Sequence, residues 1–142
     1  MRYNFRSSLK QGAAGEDRLH KLFPAWTRKD GKKEDFVTPE GKKVELKTEG
    51  RTTEQTPNLA LEWESSPGKP GAIRRACDDL IDYIIYLYAD DKYFVYRPEE
   101  LLLFMVENED LYRMVKVQNS TYTTLVLLVP RDAVKHLLVE IK

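Results

Sequence analysis

Apolar and charged residues alternate through Val44-Glu45-Leu46-Lys47, so a strand here places Val44 and Leu46 on one face and Glu45 and Lys47 on the other. Upstream, Lys33-Glu34-Asp35-Phe36-Val37 reads as a second short strand. Thr38-Pro39-Glu40-Gly41 between them reads as a turn, with Pro at its second position and Gly at its fourth. A hairpin closed there brings Asp35 close to Glu45. Before the hairpin, Leu9, Ala13, Leu19, Leu22 and Phe23 give an apolar stripe to a helix from about Leu9 to Phe23, with Ser7 and Ser8 as candidate caps and Pro24 as its stop. Gly12 and Gly15 weaken that helix but allow another backbone to approach closely, and Glu16 falls in its middle.

Beyond the hairpin, residues Gly50 to Pro57 form a loop rich in Thr that reads as mobile or substrate-facing. Asn58 to Glu64 is a third strand, with Leu59, Leu61 and Trp63 opposite Ala60, Glu62 and Glu64. A short helix over Gly71 to Leu80 presents Arg74 and Arg75. The β-prone runs Asp82 to Tyr88 and Lys92 to Arg97, joined by Ala89-Asp90-Asp91, predict a hairpin. Pro98 opens a helix to about Glu107, Val115 to Val117 is an edge strand, Leu125 to Val129 a buried one, and Pro130 starts a last helix carrying Val134, Leu137 and Leu138. This order predicts an α/β fold with one mixed central β-sheet flanked by helices, a single domain over residues 1–142.

Composition narrows the class. With 142 residues, 42% hydrophobic and 32% charged, the chain has the make-up of an ordinary globular domain with a real core. Its apolar runs are too short for a membrane span, its N-terminus does not read as a secretory signal, and a single cysteine, Cys77, suits a reducing cytoplasm. The net charge of zero hides a segregation: residues 1–76 hold sixteen Lys and Arg against eleven Asp and Glu, and residues 77–142 hold seven against twelve. A basic N-terminal half permits an anion-binding face, with a solvated basic end as the plainer account.

The chemistry on offer is that of carboxylates. One Cys and two distant His residues, His20 and His136, make a zinc site improbable. No Gly-rich phosphate loop and no Gly-x-Ser-x-Gly turn is present, which leaves nucleotide-cofactor and serine-hydrolase readings without support. Asp35 and Glu45 across a hairpin suit a Mg²⁺ or Mn²⁺ ion, whose charge neutralises a phosphodiester and acidifies a bound water. Lys47, on the same strand face as Glu45, would orient that water and stabilise the transition state's charge. Glu62 is the preferred extra acid for the metal.

Asp35 followed by Glu45-Leu46-Lys47, with Glu16 in the preceding helix, resembles the signature of the PD-(D/E)xK nuclease superfamily, with its restriction-endonuclease-like core. The resemblance runs roughly from Gly12 to Tyr96 and implies the order α-β-β-β-α-β. Glu34 stands where Pro often precedes the acid, and the spacing of Asp35 and Glu45 is short. Glu62-Trp63-Glu64-Ser65 before a Gly and Pro loop also resembles small phage-type nucleases, and compact Holliday junction resolvases share the layout. The resemblance implies a Mg²⁺- or Mn²⁺-dependent DNA endonuclease, often a homodimer, with Asp35, Glu45, Lys47 and Glu16 as catalytic residues and Asp35, Glu45 and Glu62 as metal ligands. A junction resolvase acting as a symmetric dimer, or a non-catalytic DNA-binding relative, would share these features.

Each residue also has a plainer reading. Glu45 and Lys47 would otherwise be a solvent-facing ion pair worth about 0–1 kcal/mol. Asp35 would flank a turn, and Glu16 would pair with Arg18 or Lys21 on a helix face. Arg28, Lys29, Lys32, Lys33, Arg74 and Arg75 are the candidate phosphate contacts, with solvated loop and helix surface as the alternative. The tyrosines and Phe94 of the second hairpin read as core and sheet surface, with Tyr86 and Tyr88 as candidates for a dimer seam.

Overall fold

The computed structural model describes residues 5–29, 33–65, 68–118 and 123–141, with side chains from residue 13 onward. The elements are α1 (Phe5–Leu22), β1 (Thr27–Arg28), β2 (Phe36–Val37), β3 (Lys43–Thr48), β4 (Asn58–Ser65), α2 (Ala72–Asp78), β5 (Tyr83–Leu87), β6 (Tyr93–Tyr96), α3 (Pro98–Asn108), β7 (Arg113–Gln118), β8 (Thr123–Pro130) and a 3₁₀ segment over Arg131–Leu137. The first helix begins at Phe5, so Ser7 and Ser8 lie within it and do not cap it. The last helix is 3₁₀ and broken at Val134, whose backbone leaves helical geometry.

The chain is α/β, as expected, but it builds two sheets. Strands β1-β2-β3-β5-β6 form a five-stranded mixed sheet and β4-β8-β7 a three-stranded antiparallel one. The reason is positional. Both edges of β3 are occupied, by β2 antiparallel and β5 parallel, so the third strand cannot extend the hairpin. Instead β4 pairs with β8 over seven residue pairs, from Asn58 opposite Pro130 to Ser65 opposite Thr124.

Strand β5 is covered on both sides, which explains its unbroken apolar run. Ile85 and Leu87 join Leu19, Trp26, Phe36, Val44 and Val95 in a core beneath α1. Ile84, Tyr86 and Tyr96 face the other way and pack with Leu59, Leu61, Ile73, Leu101, Leu127 and Val129 between the two sheets. Tyr86 and Tyr88 are 7% and 1% exposed, which takes them out of any dimer seam.

Two local devices set the frame around β3. Gly41, at φ +83°, closes the β2–β3 turn, and its N–H donates to the Thr38 carbonyl at 2.9 Å. Gly15 lets α1 settle on β3: a Cβ there would lie 2.3 Å from Thr48 Cγ2, so the close partner is a side chain and not a backbone. The loop over residues 50–57 is pinned, contrary to the expected mobility. Arg131 donates to the carbonyls of Thr56 at 2.5 Å and Thr53 at 2.9 Å, and Thr53 Oγ1 donates to Asp90 at 2.6 Å.

Candidate active site

Strand β2 is only two residues long while β3 runs on past it, which leaves the Leu46 N–H without a strand partner on that side. Asp35 fills the gap. Its N–H donates to the Val44 carbonyl at 2.9 Å, and its Oδ2 accepts from the Leu46 N–H at 2.7 Å. Its carbonyl accepts from Lys29 N–H at 2.9 Å. One carboxylate oxygen thus acts as a surrogate strand carbonyl, and Oδ1 makes no hydrogen bond to a described residue.

The alternation of β3 sends Val44 into the core under α1 and sends Glu45 and Lys47 toward the second sheet. There Lys47 Nζ stands 3.9 Å from Glu45 Oε1 and 3.9 Å from Glu62 Oε1 on β4. These are charge contacts beyond hydrogen-bond range. The Glu45 side chain is 19% exposed and makes no hydrogen bond to any described residue. Glu62 is steadied instead: its Oε2 accepts from the Ala72 N–H at 3.2 Å and lies 3.8 Å from Arg75. Gly71 makes that approach feasible, because a Cβ there would meet the Glu62 carbonyl oxygen at 2.6 Å.

Burial pushes the Glu45 carboxyl above its ordinary range; Lys47 opposes the rise and Asp35 adds to it. Burial likewise pushes Asp35 up, opposed by the Leu46 N–H and aided by Glu16. Both carboxyls are raised chiefly by burial, which withholds from their charged forms solvation that a ligand can supply.

Among the described residues no three His, Cys, Asp or Glu side chains are placed to hold one metal ion, so Glu62 does not complete a cage with Asp35 and Glu45. Magnesium does not require one, since it keeps several waters and takes one or two carboxylates with substrate phosphate. Asp35 and Glu45, both oxygen donors in a partly buried setting, fit an ion of that kind.

The other expected residues divide. Glu16 pairs with Arg28 of β1 at 2.9 Å, not with Arg18 or Lys21, and Asp17 binds the same guanidinium at 2.5 Å. Arg28 is thereby committed within the fold. Lys33 pairs with Asp79 at 3.2 Å. Lys29 is half-buried, Arg74 and Arg75 are exposed on α2, and Lys32 lies outside the described residues. His20 Nε2 donates to the Trp26 carbonyl, 3.1 Å away, and burial pushes the Cys77 thiol to about 11, so both read as structural. Two neighbours of the site escaped the sequence reading: Gly71, and Tyr86, which sits beside Lys47 in the β3–β5 register. The period-two pattern of β5 was the available signal for Tyr86.

No protein-family model matches the chain, and no curated protein is significantly similar to it.

Proposed function

We propose that the protein is a Mg²⁺- or Mn²⁺-dependent DNA endonuclease with a restriction-endonuclease-like core. The observation that carries the reading is the pair Asp35 and Glu45: half-buried, raised in pKa and set beside Lys47 where β2 stops short of β3. Ion pairs that stabilise a fold are strongest when hydrogen-bonded, and Glu45 makes no hydrogen bond to any described residue.

In this reading Asp35 Oδ1 and the Glu45 carboxylate hold the divalent ion. The ion supplies charge neutralisation at the phosphodiester and makes water a better nucleophile at neutral pH. Lys47 orients the attacking water and offsets the charge that grows on phosphate oxygens. Glu45 and Glu62 flank Lys47, each 3.9 Å from its ammonium. Arg74 and Arg75, on the exposed side of α2 next to Glu62, suit the flanking phosphates of a strand.

The test is incubation of plasmid, single-stranded and branched DNA with Mg²⁺, with Mn²⁺ and with chelator. Metal-dependent cleavage is expected, with Glu45→Ala and Lys47→Ala each losing roughly 100-fold or more in rate. Cleavage that persists in both variants would remove the site from this reading, and salt-sensitive binding without cleavage would point to a non-catalytic relative.

A further inference from the structure

A cavity of about 140 Å³ opens between the two sheets directly beside the candidate site. It shares Lys47 and Glu62 with that site, and Thr48 and Glu49 of β3, Ala60 of β4, Ala72 of α2 and Val126 of β8 complete it with Tyr86 and Tyr88. It lies at the carboxyl ends of the parallel strands β3 and β5, the usual place for ligands in such sheets. By liquid volume it would hold about five waters at roughly 30 Å³ each. That is room for one flat heteroaromatic ring.

The lining is built for such a ring. Ala60 and Ala72 keep the space open, two aromatic side chains flank it, and Lys47 and Glu62 offer a donor and an acceptor, while the Glu49 carboxylate is bonded to Arg51. Tyr86 lines the cavity and is 7% exposed, and its hydroxyl makes no hydrogen bond to a described residue, which leaves it able to bond a ligand there. Tyr88, in contrast, donates to the Asn58 carbonyl at 2.8 Å and so serves as wall alone.

We infer that this cavity receives one unpaired nucleobase from the nucleotide next to the bond that is cut, with the Tyr86 hydroxyl bonding the base edge. The inference rests on the nuclease reading for its choice of ligand. A base inside a duplex cannot enter without leaving its stack, so the substrate is single-stranded DNA or an unpaired position in a duplex. The acceptor on Glu62 favours bases that carry an exocyclic amine, cytosine or adenine.

Equilibrium binding in chelator separates this proposal from the catalytic one. The probes are a fluorescent oligonucleotide as a single strand, the same sequence fully paired, and a strand with 2-aminopurine as reporter. Tighter binding of the single strand is expected, about 10-fold, together with a change in 2-aminopurine emission on binding. Ala60→Leu fills the cavity and should abolish both. Tyr86→Phe preserves shape and should weaken the single strand alone by about five-fold, the range of one net hydrogen bond. It keeps the test open should Ala60→Leu fail to fold. Equal affinity for both forms in the wild type, or an unchanged Tyr86→Phe, overturns the inference. Metal-dependent cleavage without strand preference leaves the nuclease reading and removes the cavity's role; strand preference without any cleavage does the reverse.

Discussion

Two clusters of charge share strand β3 and its surroundings, and they are built in opposite ways. On the α1 side, Arg28 meets Glu16 at 2.9 Å and Asp17 at 2.5 Å, and its guanidinium also donates to the Ala13 carbonyl at 3.3 Å. On the side facing the second sheet, Lys47 stands 3.9 Å from both Glu45 and Glu62. The first cluster is hydrogen-bonded and half open to solvent, with Asp17 63% exposed; the second is more enclosed, with Glu45 at 19%. Charges that serve stability close up into short, directed bonds. Charges held apart in a partly dry place by a stiff frame are poised for a ligand, and the frame carries the cost of keeping them there.

The glycine behind each cluster gives the largest expected effect. A Cβ at Gly71 would meet backbone atoms of Glu62 and Trp63 at 2.6–2.8 Å, and β4 cannot yield easily, because it is paired with β8 and its Trp63 carbonyl accepts from the Gly71 N–H. Gly71→Ala should therefore lower stability by about 1–3 kcal/mol and shift Glu62 away from Lys47. A Cβ at Gly15 meets chiefly the Cγ2 of exposed Thr48, which can rotate aside, so Gly15→Ala should cost less. Urea unfolding of the two variants gives the comparison, and equal losses would show that the frame behind Glu62 is no stiffer than that behind α1.

Much of the frame was legible in the sequence because it is local. The alternation of Val44 to Lys47, the turn at Thr38 to Gly41 and the Pro98 helix start each depend on neighbouring residues alone. The second sheet was hidden because Asn58 finds its partner at Pro130, and nothing near β4 announces that β3 has no edge left. The slip at Trp63 hid more: a β-bulge there breaks the period-two reading of Glu62 and Glu64, and Glu64 turns to accept the Gly68 N–H. Glu16 had cations nearer in the sequence, Arg18 and Lys21, and only the two-residue strand β1 brings Arg28 to it. Likewise the latch on residues 50–57 comes from Arg131, whose distance along the chain leaves no local trace.

Acidity gives the next effect, smaller because it depends on burial and not on steric overlap. Asp35 and Glu45 both have pKa values raised by folding, so the folded chain binds more protons than the unfolded one between the ordinary carboxylate range and the raised values. Stability should fall as pH rises through that interval, with the loss complete above it. Glu45→Gln removes one of the two carboxyls and should flatten the fall while leaving the protein at least as stable at neutral pH. Thermal melts in chelator across pH 4 to 8, a range of roughly four units around these groups, measure it. A melt profile identical in wild type and Glu45→Gln would show that Glu45 is not held against its charge.

Arg28 gives the smallest change and bears most directly on the division between the clusters. Its bonds are short, but the network opens to solvent, so Arg28→Ala should cost about 1 kcal/mol or less, and less still at high salt. Arg28→Lys should recover only part of this, since an ammonium cannot reach Glu16, Asp17 and the Ala13 carbonyl with one rigid fork. The informative readout is the pH dependence of the proposed cleavage. Glu16 already raises the Asp35 carboxyl, and without Arg28 its charge is less compensated, so Asp35 should be pushed further up and the acid limb of the rate profile should move to higher pH. An acid limb that stays in place while stability drops would assign Glu16 wholly to the structural cluster and leave catalysis to the three residues Asp35, Glu45 and Lys47. A limb that moves would mean that the two faces of β3 share one electrostatic system, with Glu16 as its link.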